Sequence, residues 1–202
     1  MPTQGPAPRG GRGAFTLVEM LIVVGILMIL IATLYPAFTA IRRSQRIKRV
    51  EAAVEAIANG VQAYQNDYGL YPPAAPPSDL VPAGNNLGAR ALVYFLALGE
   101  SAGGRSAPYL PSAFYEHSRI RDPVLIDEWD RPLVYFDTSV MQAGYSPVYD
   151  ILGAVSPAQG PTGFCNVGRF QLWSCGPNGR NDGGRNLHSE GADDIANFVL
   201  GD

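Results

Sequence analysis

Hydrophobic side chains fill the chain from Ala14 to Phe38 almost without interruption, and Glu19 is the single charged residue among them. At about 1.5 Å of rise per residue, the roughly 24 residues after Ala14 form about 36 Å of helix, enough to cross a hydrocarbon core of about 30 Å. A helix buried in a soluble core would normally show a polar face, which this run lacks. The pattern therefore favours a membrane-spanning helix at about 15–38, with a kink at Pro36, which lacks a backbone donor.

A second pattern follows the apolar run. Hydrophobic side chains recur at steps of three and four residues, which is the spacing of one helix face. Gly69, followed by two prolines, supplies a helix stop. We therefore expect one helix over 15–68, whose second half offers an apolar stripe to a globular head at 69–202. The stripe consists of Ile47, Val50, Val54, Ile57, Val61, Tyr64 and Tyr68.

The head has mixed patterns. A proline-rich loop at 72–86 precedes a short apolar segment at 87–98 that favours a helix. After a predicted turn at 127–132, the sequence has short apolar runs separated by turn residues, which is typical of β-strands. A long helix followed by a few short strands predicts the α+β class, with a small antiparallel sheet packed on the helix. The expected strands are 133–136, 148–155 and 170–174.

Composition and motifs argue against a nucleic-acid-binding protein and against an enzyme. The 202-residue chain has a formal net charge of −3, which argues against a nucleic-acid-binding protein. Its 23 glycines and 17 prolines indicate a loop-rich head. His117 and His188 are far apart, and the sequence has no phosphate loop and no redox Cys-x-x-Cys. We therefore expect no enzyme.

A short segment with two basic residues precedes the apolar run. Arg9 and Arg12 stand before Gly13-Ala14-Phe15-Thr16-Leu17-Val18-Glu19. This segment resembles the cleavage and assembly signal of type IV prepilins and of the major pseudopilins of type II secretion systems. The resemblance extends through the apolar run to Pro36, which matches the family's helix-kinking proline. Ala14 stands where glycine is commoner.

The resemblance implies a processing site and an assembly residue. Prepilin peptidase would remove the leader 1–14 by cutting between Ala14 and Phe15, and the new N-terminus would be methylated. Cleavage would create an α-amine with a reference pKa of about 7.7–8.0. An unpaired carboxylate in a membrane is costly, up to about 3 kcal/mol at the helix centre. We therefore expect Glu19 to pair with the Phe15 amine of a neighbouring subunit, or with its own.

Two signals disagree about orientation. Five basic residues follow the apolar run, and the positive-inside rule alone would place this side in the cytoplasm. The resemblance implies the opposite, with the leader in the cytoplasm and the head in the periplasm. We follow the resemblance because its motif is specific. The basic residues are Arg42, Arg43, Arg46, Lys48 and Arg49.

The head contains two further segments that match the family. The segment from Asp127 to Tyr135 resembles Asp-Pro-Trp-Gly-x-Pro-x-x-Tyr of major pseudopilins, with Glu128 and Asp130 in place of Pro and Gly. Without the resemblance, the same residues predict a turn that enters a strand with a packed Trp129. The family uses the segment for that same purpose.

The C-terminal part resembles the calcium-binding loop of major pseudopilins. Hard cations prefer several oxygen ligands, and a glycine-rich loop can wrap around the ion. Asn178 stands where the family has Asp, and Asp182 and Glu190 lie in what resembles an insertion that restores the charge. Adjacent acids in a Gly/Asn loop are otherwise usually solvated, so both interpretations stay open. The implied ligands are Ser174, Asn178, Asp182, Asp193 and Asp194.

Two cysteines flank the strand expected at 170–174. In an exported head Cys165 and Cys175 would form a disulfide, whereas in the cytosol they would stay reduced. With an exported head, we expect them to be paired.

The resemblance implies a structural subunit of a pseudopilus that drives protein export by type II secretion. Before assembly, such a subunit is stored in the inner membrane with its head in the periplasm. Its expected partners are other copies of the chain, prepilin peptidase, minor pseudopilins, the inner-membrane secretion platform and membrane lipid. A type IV pilin or a minor pseudopilin is the nearest alternative. A membrane-anchored module that binds calcium or another ligand and never polymerises is the alternative from another class.

Overall fold

The chain divides into two compact units, Met1–Ser44 and Gln45–Asp202. Helix α1 runs from Leu17 to Tyr68 and contributes residues to both units. The expected helix at 15–68 is therefore confirmed over this range. The structure is a computed structural model that describes residues 16–75, 84–98, 109–111, 114, 124–140, 146–160, 163–185 and 193–198.

The first unit contains the apolar part of α1. Every described residue from 16 to 44 is exposed, including the large hydrophobic ones. Pro36 lies inside the helix, which continues past it to Tyr68. The Thr39 hydroxyl donates a hydrogen bond of 2.8 Å to the Pro36 carbonyl, so this polar group is satisfied within the helix.

In the second unit, one face of α1 is buried. Val50, Val54, Ile57, Val61 and Tyr64 are each at most 3% exposed, which confirms the middle of the predicted apolar stripe. Its two ends, Ile47 and Tyr68, are half-buried. They join a core cluster with hydrophobic residues of helix α2 (Leu87–Leu92) and of the π-helical segment Val93–Leu98 that follows it. The apolar segment at 87–98 is thus helical, as expected.

A three-stranded antiparallel sheet forms the rest of the core. Strand β6 (Phe170–Ser174) lies in the middle, with β1 (Val134–Asp137) and β7 (Ile195–Ala196) on either side. The expected strands at 133–136 and 170–174 are confirmed as β1 and β6, and the α+β class is confirmed with them. The described strands are β1 (Val134–Asp137), β2 (Val148–Tyr149), β3 (Gly153–Ala154), β4 (Gln159–Gly160), β5 (Gly163–Phe164), β6 (Phe170–Ser174) and β7 (Ile195–Ala196).

Both faces of the central strands are covered. Tyr135 and Leu172 belong to the cluster that packs on α1, whereas Phe136 and Trp173 belong to a second cluster on the other side. The rings of Phe136 and Trp173 stack with their centroids 5.7 Å apart. Because successive side chains of a strand point to opposite faces, two apolar layers explain why every residue of β1 and β6 is buried.

One predicted strand is wrong. Residues 148–155 form a hairpin of β2 and β3 rather than a single strand. Gly153 adopts a φ of 71°, which is the left-handed region that glycine enters without a steric penalty. The chain therefore reverses between Asp150 and Leu152.

Candidate functional site

Glu19, the predicted assembly residue, has a defined hydrogen-bonded arrangement at the beginning of α1. Glu19 Oε2 accepts hydrogen bonds of 2.8 Å from both the backbone N–H and the hydroxyl of Thr16. The Glu19 N–H donates in return to the Thr16 hydroxyl, at 3.2 Å. This reciprocal pair is a capping box, in which a Thr and a Glu three residues apart satisfy donors that a helix start leaves free. The carboxylate is thus held at the positive end of the helix dipole.

Sequence reasoning missed the capping box, although Thr-x-x-Glu before an apolar run is its usual signature. It assigned Glu19 to assembly alone, whereas the structure also gives this residue a local role. The two residues at the expected cut, Ala14 and Phe15, lie outside the described residues. The Glu19–amine pair therefore stays a prediction.

The helix that follows Glu19 suits an apolar environment. Its most apolar window has a mean hydropathy of 2.8, and none of that window is buried within the protein. By length and composition, α1 is the helix in the described part of the chain that could cross a membrane.

The C-terminal loop gathers three carboxylates. One oxygen each from Asp182, Asp193 and Asp194 lies within 4.8 Å of the others. Asp182 lies in the loop after β6, and Asp193 and Asp194 immediately precede β7. Pairing of β7 with β6 therefore brings the two acidic segments together.

Two of these carboxylates are buried with one oxygen unsatisfied. Asp193 and Asp194 are 7% and 1% exposed. Asp194 Oδ2 accepts hydrogen bonds from the N–H groups of Asp182 (2.9 Å) and Gly184 (2.8 Å), and Asp193 Oδ2 accepts one from the Asn178 N–H (2.9 Å). The Oδ1 atoms of both aspartates are buried and have no hydrogen-bond partner among the described residues. Buried oxygens without a donor are costly, and a bound cation would satisfy them.

The electrostatics of the loop also favour a positive ligand. Burial raises the pKa of Asp194 to about 7, and the neighbouring charges of Asp182 and Asp193 act in the same direction. Backbone donors from Gly184 and Asp182 oppose the rise only in part. Without a cation, the cluster therefore tends to hold a proton near neutral pH.

The other expected ligands have different surroundings. The Asn178 amide donates a hydrogen bond of 3.3 Å to Asp182 Oδ2, so this side chain contacts the cluster. The Ser174 hydroxyl instead donates to Asp127 Oδ2, at 2.6 Å. Glu190 lies outside the described residues. The structure thus brings together Asn178, Asp182, Asp193 and Asp194, and it directs the Ser174 side chain to the turn before β1.

That turn supports the acidic loop, a link that the sequence did not reveal. Asp127 Oδ1 accepts hydrogen bonds from the backbone N–H groups of Trp129 and Arg131. The Arg131 guanidinium donates to the Gly176 carbonyl, at 2.7 Å. Asp130, which replaces the family's Gly, has a φ of 59°, so the residue keeps the left-handed conformation that explains a glycine there.

The two cysteines are free thiols in the structure, Cys175 buried and Cys165 half-buried. Burial raises the pKa of both thiols. Both side chains pack into the second apolar cluster, which contains Phe136 and Trp173 and covers the face of the sheet away from α1. Their pairing in an exported head stays a prediction.

Sequence reasoning overlooked one catalytic spacing. Residues 99–103 read Gly-Glu-Ser-Ala-Gly, the Gly-x-Ser-x-Gly pattern of a nucleophile elbow, and they lie outside the described residues. That motif needs a strand before the serine and a helix after it. Here the preceding residues, 87–98, are helical. His117 and His188 also lie outside the described residues.

Comparison with known proteins supports the N-terminal signal. The model of the prokaryotic N-terminal methylation motif matches residues 9–35. No curated protein and no solved structure matches the chain. The matched range contains the expected cut, Glu19 and the first part of the apolar helix. The chain therefore carries a type IV pilin-like signal, which implies processing by prepilin peptidase, membrane anchoring and assembly into a filament.

Proposed function

We propose that this chain is a structural subunit of a pseudopilus, a pilin-like filament that drives protein export by type II secretion. The observation that carries the proposal is the methylation motif at residues 9–35 joined to an apolar helix with no polar face. After cleavage and methylation at Phe15, the subunit waits in the inner membrane with its head in the periplasm. It then leaves the membrane for the filament, where the apolar surfaces of neighbouring helices replace lipid.

The negative charge of Glu19 would link neighbouring subunits during filament assembly. A carboxylate near the start of a spanning helix is stabilised by a nearby cation, and the new α-amine of a neighbouring subunit supplies one. The capping box holds the carboxylate at the helix start, where that amine would approach it. Uncleaved subunits lack the amine, so processing precedes assembly.

A Glu19→Gln variant separates charge from capping. Glutamine also completes a capping box, so the helix start should be preserved while the charge is lost. We expect cleavage at wild-type efficiency and at least a tenfold loss of sedimentable filaments from cells that carry the assembly machinery. Thr16→Val is the matched control, since it weakens the cap and keeps the carboxylate. Normal filaments from Glu19→Gln would mean that capping explains this residue.

We further propose that the C-terminal loop binds Ca²⁺. The support is the pair of buried, unsatisfied oxygens on Asp193 and Asp194 beside Asp182. Oxygen donors of this kind are the ligands that Ca²⁺ prefers. Asp182, Asp193 and Asp194 would hold the ion. Asn178 meets the cluster through its amide N–H, so it would join the ligands only by turning its Oδ1, which accepts the Arg180 N–H, towards the ion. The ion would neutralise like charges and hold shut a loop with little apolar content.

Trp173 provides a direct readout for this binding. Its indole N–H donates a hydrogen bond of 3.0 Å to Asn181, which is adjacent to Asp182. Calcium added to chelated full-length protein in detergent should raise the melting temperature and, in a Trp129→Phe background that leaves Trp173 as the one tryptophan, change its fluorescence. Asp194→Asn should remove both effects. Asp137→Asn changes another buried aspartate and should retain them, because its carboxylate accepts hydrogen bonds from Ser139 and is not one of the three clustered acids. An equal response to Mg²⁺, or none to Ca²⁺, would count against the proposal.

The alternatives differ in what these tests would show. A type IV pilin or a minor pseudopilin would keep the Glu19 dependence but would assemble with another machine or in few copies. A membrane-anchored calcium-binding module would keep the calcium response and show no filaments. The filament assay therefore distinguishes a filament subunit from a membrane-anchored module that never polymerises.

A further inference from the structure

A groove of 370 Å³ lies between α1 and β7 in the second unit. Val54 and Ala58 of α1 line one wall, and Ile195 and Phe198 line the other. Two acids of α1, Glu51 and Glu55, stand beside these apolar residues. The groove thus combines apolar walls with a negatively charged edge.

The acids of the groove make no ion pair with any residue that the structure describes. Glu51 and Glu55 are exposed, stand four residues apart on one helix face, and make no ion pair among the described residues. Like charges at this spacing repel each other. An arginine side chain suits such a groove, because its stem packs on apolar surface while its guanidinium binds carboxylates.

Arg46 is a cation placed to enter the groove of another molecule. It is exposed and makes no ion pair within the part of the chain that the structure describes. Arg46 precedes Glu55 by nine residues, or about two and a half helical turns, so the two lie on opposite faces of α1. Arg46 therefore cannot reach the groove of its own chain. Arg49 is different, because it already pairs with Glu128 at 3.5 Å.

We propose that the groove receives Arg46 from a second copy of the chain, and that this contact sets the axial step between neighbouring subunits. The inference rests on the proposed filament. Parallel helices that meet through opposite faces form a head-to-tail contact, which gives an open helical filament when each copy is also shifted along the axis. Arg46 precedes Glu51 by five residues and Glu55 by nine. At about 1.5 Å per residue, pairing shifts one copy along the helix by about 8–14 Å.

Charge reversal in the full chain tests the contact. Glu51→Arg combined with Glu55→Arg, and separately Arg46→Glu, should each lower the sedimentable filament fraction at least tenfold. Processed subunits in the membrane should stay at the wild-type level. Combining all three changes should restore at least a third of the wild-type filaments, because the charges are exchanged and the contact is kept.

Lys48→Glu is the matched control. It makes the same charge change as Arg46→Glu two residues further on, but Lys48 shares the helix face of the acids. The change adds a third acid beside Glu51 and Glu55 and leaves Arg46 in place, so we expect filaments at no less than the wild-type level. Wild-type assembly of either reversed variant, or failure of the combined variant to recover, would overturn the inference. If the wild-type chain itself forms no filaments, the proposed function fails as well.

Cysteine cross-linking provides a second readout that needs no loss of assembly. One tagged copy would carry Glu55→Cys and a differently tagged copy Arg46→Cys, expressed together. A short bifunctional maleimide should give a dimer that carries both tags, and far less of it when Lys48→Cys replaces Arg46→Cys. Equal yields from the two pairings would contradict the contact even if the reversed variants fail to assemble.

Discussion

The most quantitative prediction concerns Gly176, which begins the turn that leads into the acidic loop. Gly176 has a φ of 58°, and a Cβ added there would lie 2.1 Å from the Asp193 carbonyl oxygen and 3.0 Å from its Oδ1. Real Cβ contacts below 3.0 Å essentially never occur, and the obstacle is backbone. Gly176→Ala must therefore displace Asp193 by about 1 Å, and its carboxylate with it.

The expected cost has two parts. The left-handed conformation costs a non-glycine residue about 1–2 kcal/mol. Loss of the Asn178 N–H bond to the Asp193 carboxylate adds about 1.5–3 kcal/mol, since the acceptor is charged. The sum is about 3–5 kcal/mol, which lowers the melting temperature of a domain of this size by roughly 6–20 °C.

Gly183→Ala is the matched control in the same loop. Gly183 has a φ of 71°, but a Cβ there would meet nothing within 4 Å. This variant should lose only the conformational part, about 1–2 kcal/mol. Its calcium response should persist, because the carboxylates keep their positions.

Thermal unfolding of the full chain in detergent, with Ca²⁺ and with chelator, measures both effects. Gly176→Ala should be several degrees less stable than Gly183→Ala and should show no calcium-dependent shift. Equal melting temperatures for the two variants would refute the clash. A normal calcium shift in Gly176→Ala would refute the role of Asp193.

Three more outcomes are expected of the head. Ile57→Ala should destabilise it by about 2–5 kcal/mol in chemical denaturation, because this side chain is 1% exposed in the core, and Ile57→Val by only about 0.5–1.5 kcal/mol. Burial raises the pKa of Asp127, so the stability that its protonated form contributes is present below its ordinary pKa and is lost as the pH rises. Asp127→Asn should therefore flatten this part of a curve of unfolding free energy against pH. An unchanged slope would contradict this prediction. Periplasmic protein should have no titratable thiol, because we expect Cys165 and Cys175 to pair there; two thiols would contradict the pairing.

The elements with strong periodicity could be predicted from the sequence. The stripe from Ile47 to Tyr68 predicted the buried face of α1, which the structure shows from Val50 to Tyr64, because a helix packs the side chains that recur every three or four residues. β1 and β6 were found as apolar runs between turn residues. The hairpin at 148–154 was missed because its strands are two residues each, too short to show an alternating pattern.

The acidic loop shows the limit of sequence reasoning. Asp193 and Asp194 were singled out with the help of the resemblance, but their burial depends on the pairing of β7 with β6. The support from Arg131 involves a contact across 45 residues, between its guanidinium and the Gly176 carbonyl. No local pattern encodes such a contact. The groove beside Glu51 and Glu55 likewise forms between segments that are far apart in the sequence.

The central claim is that the chain becomes a filament subunit only after cleavage before Phe15. The intact mass and N-terminal sequence of the protein purified from its native membrane test this claim most directly. The account predicts a chain that begins at Phe15 and is heavier by one methyl group, with a pool of uncleaved precursor that is absent from filaments. A chain that retains Met1 or other leader residues in its assembled form would contradict it.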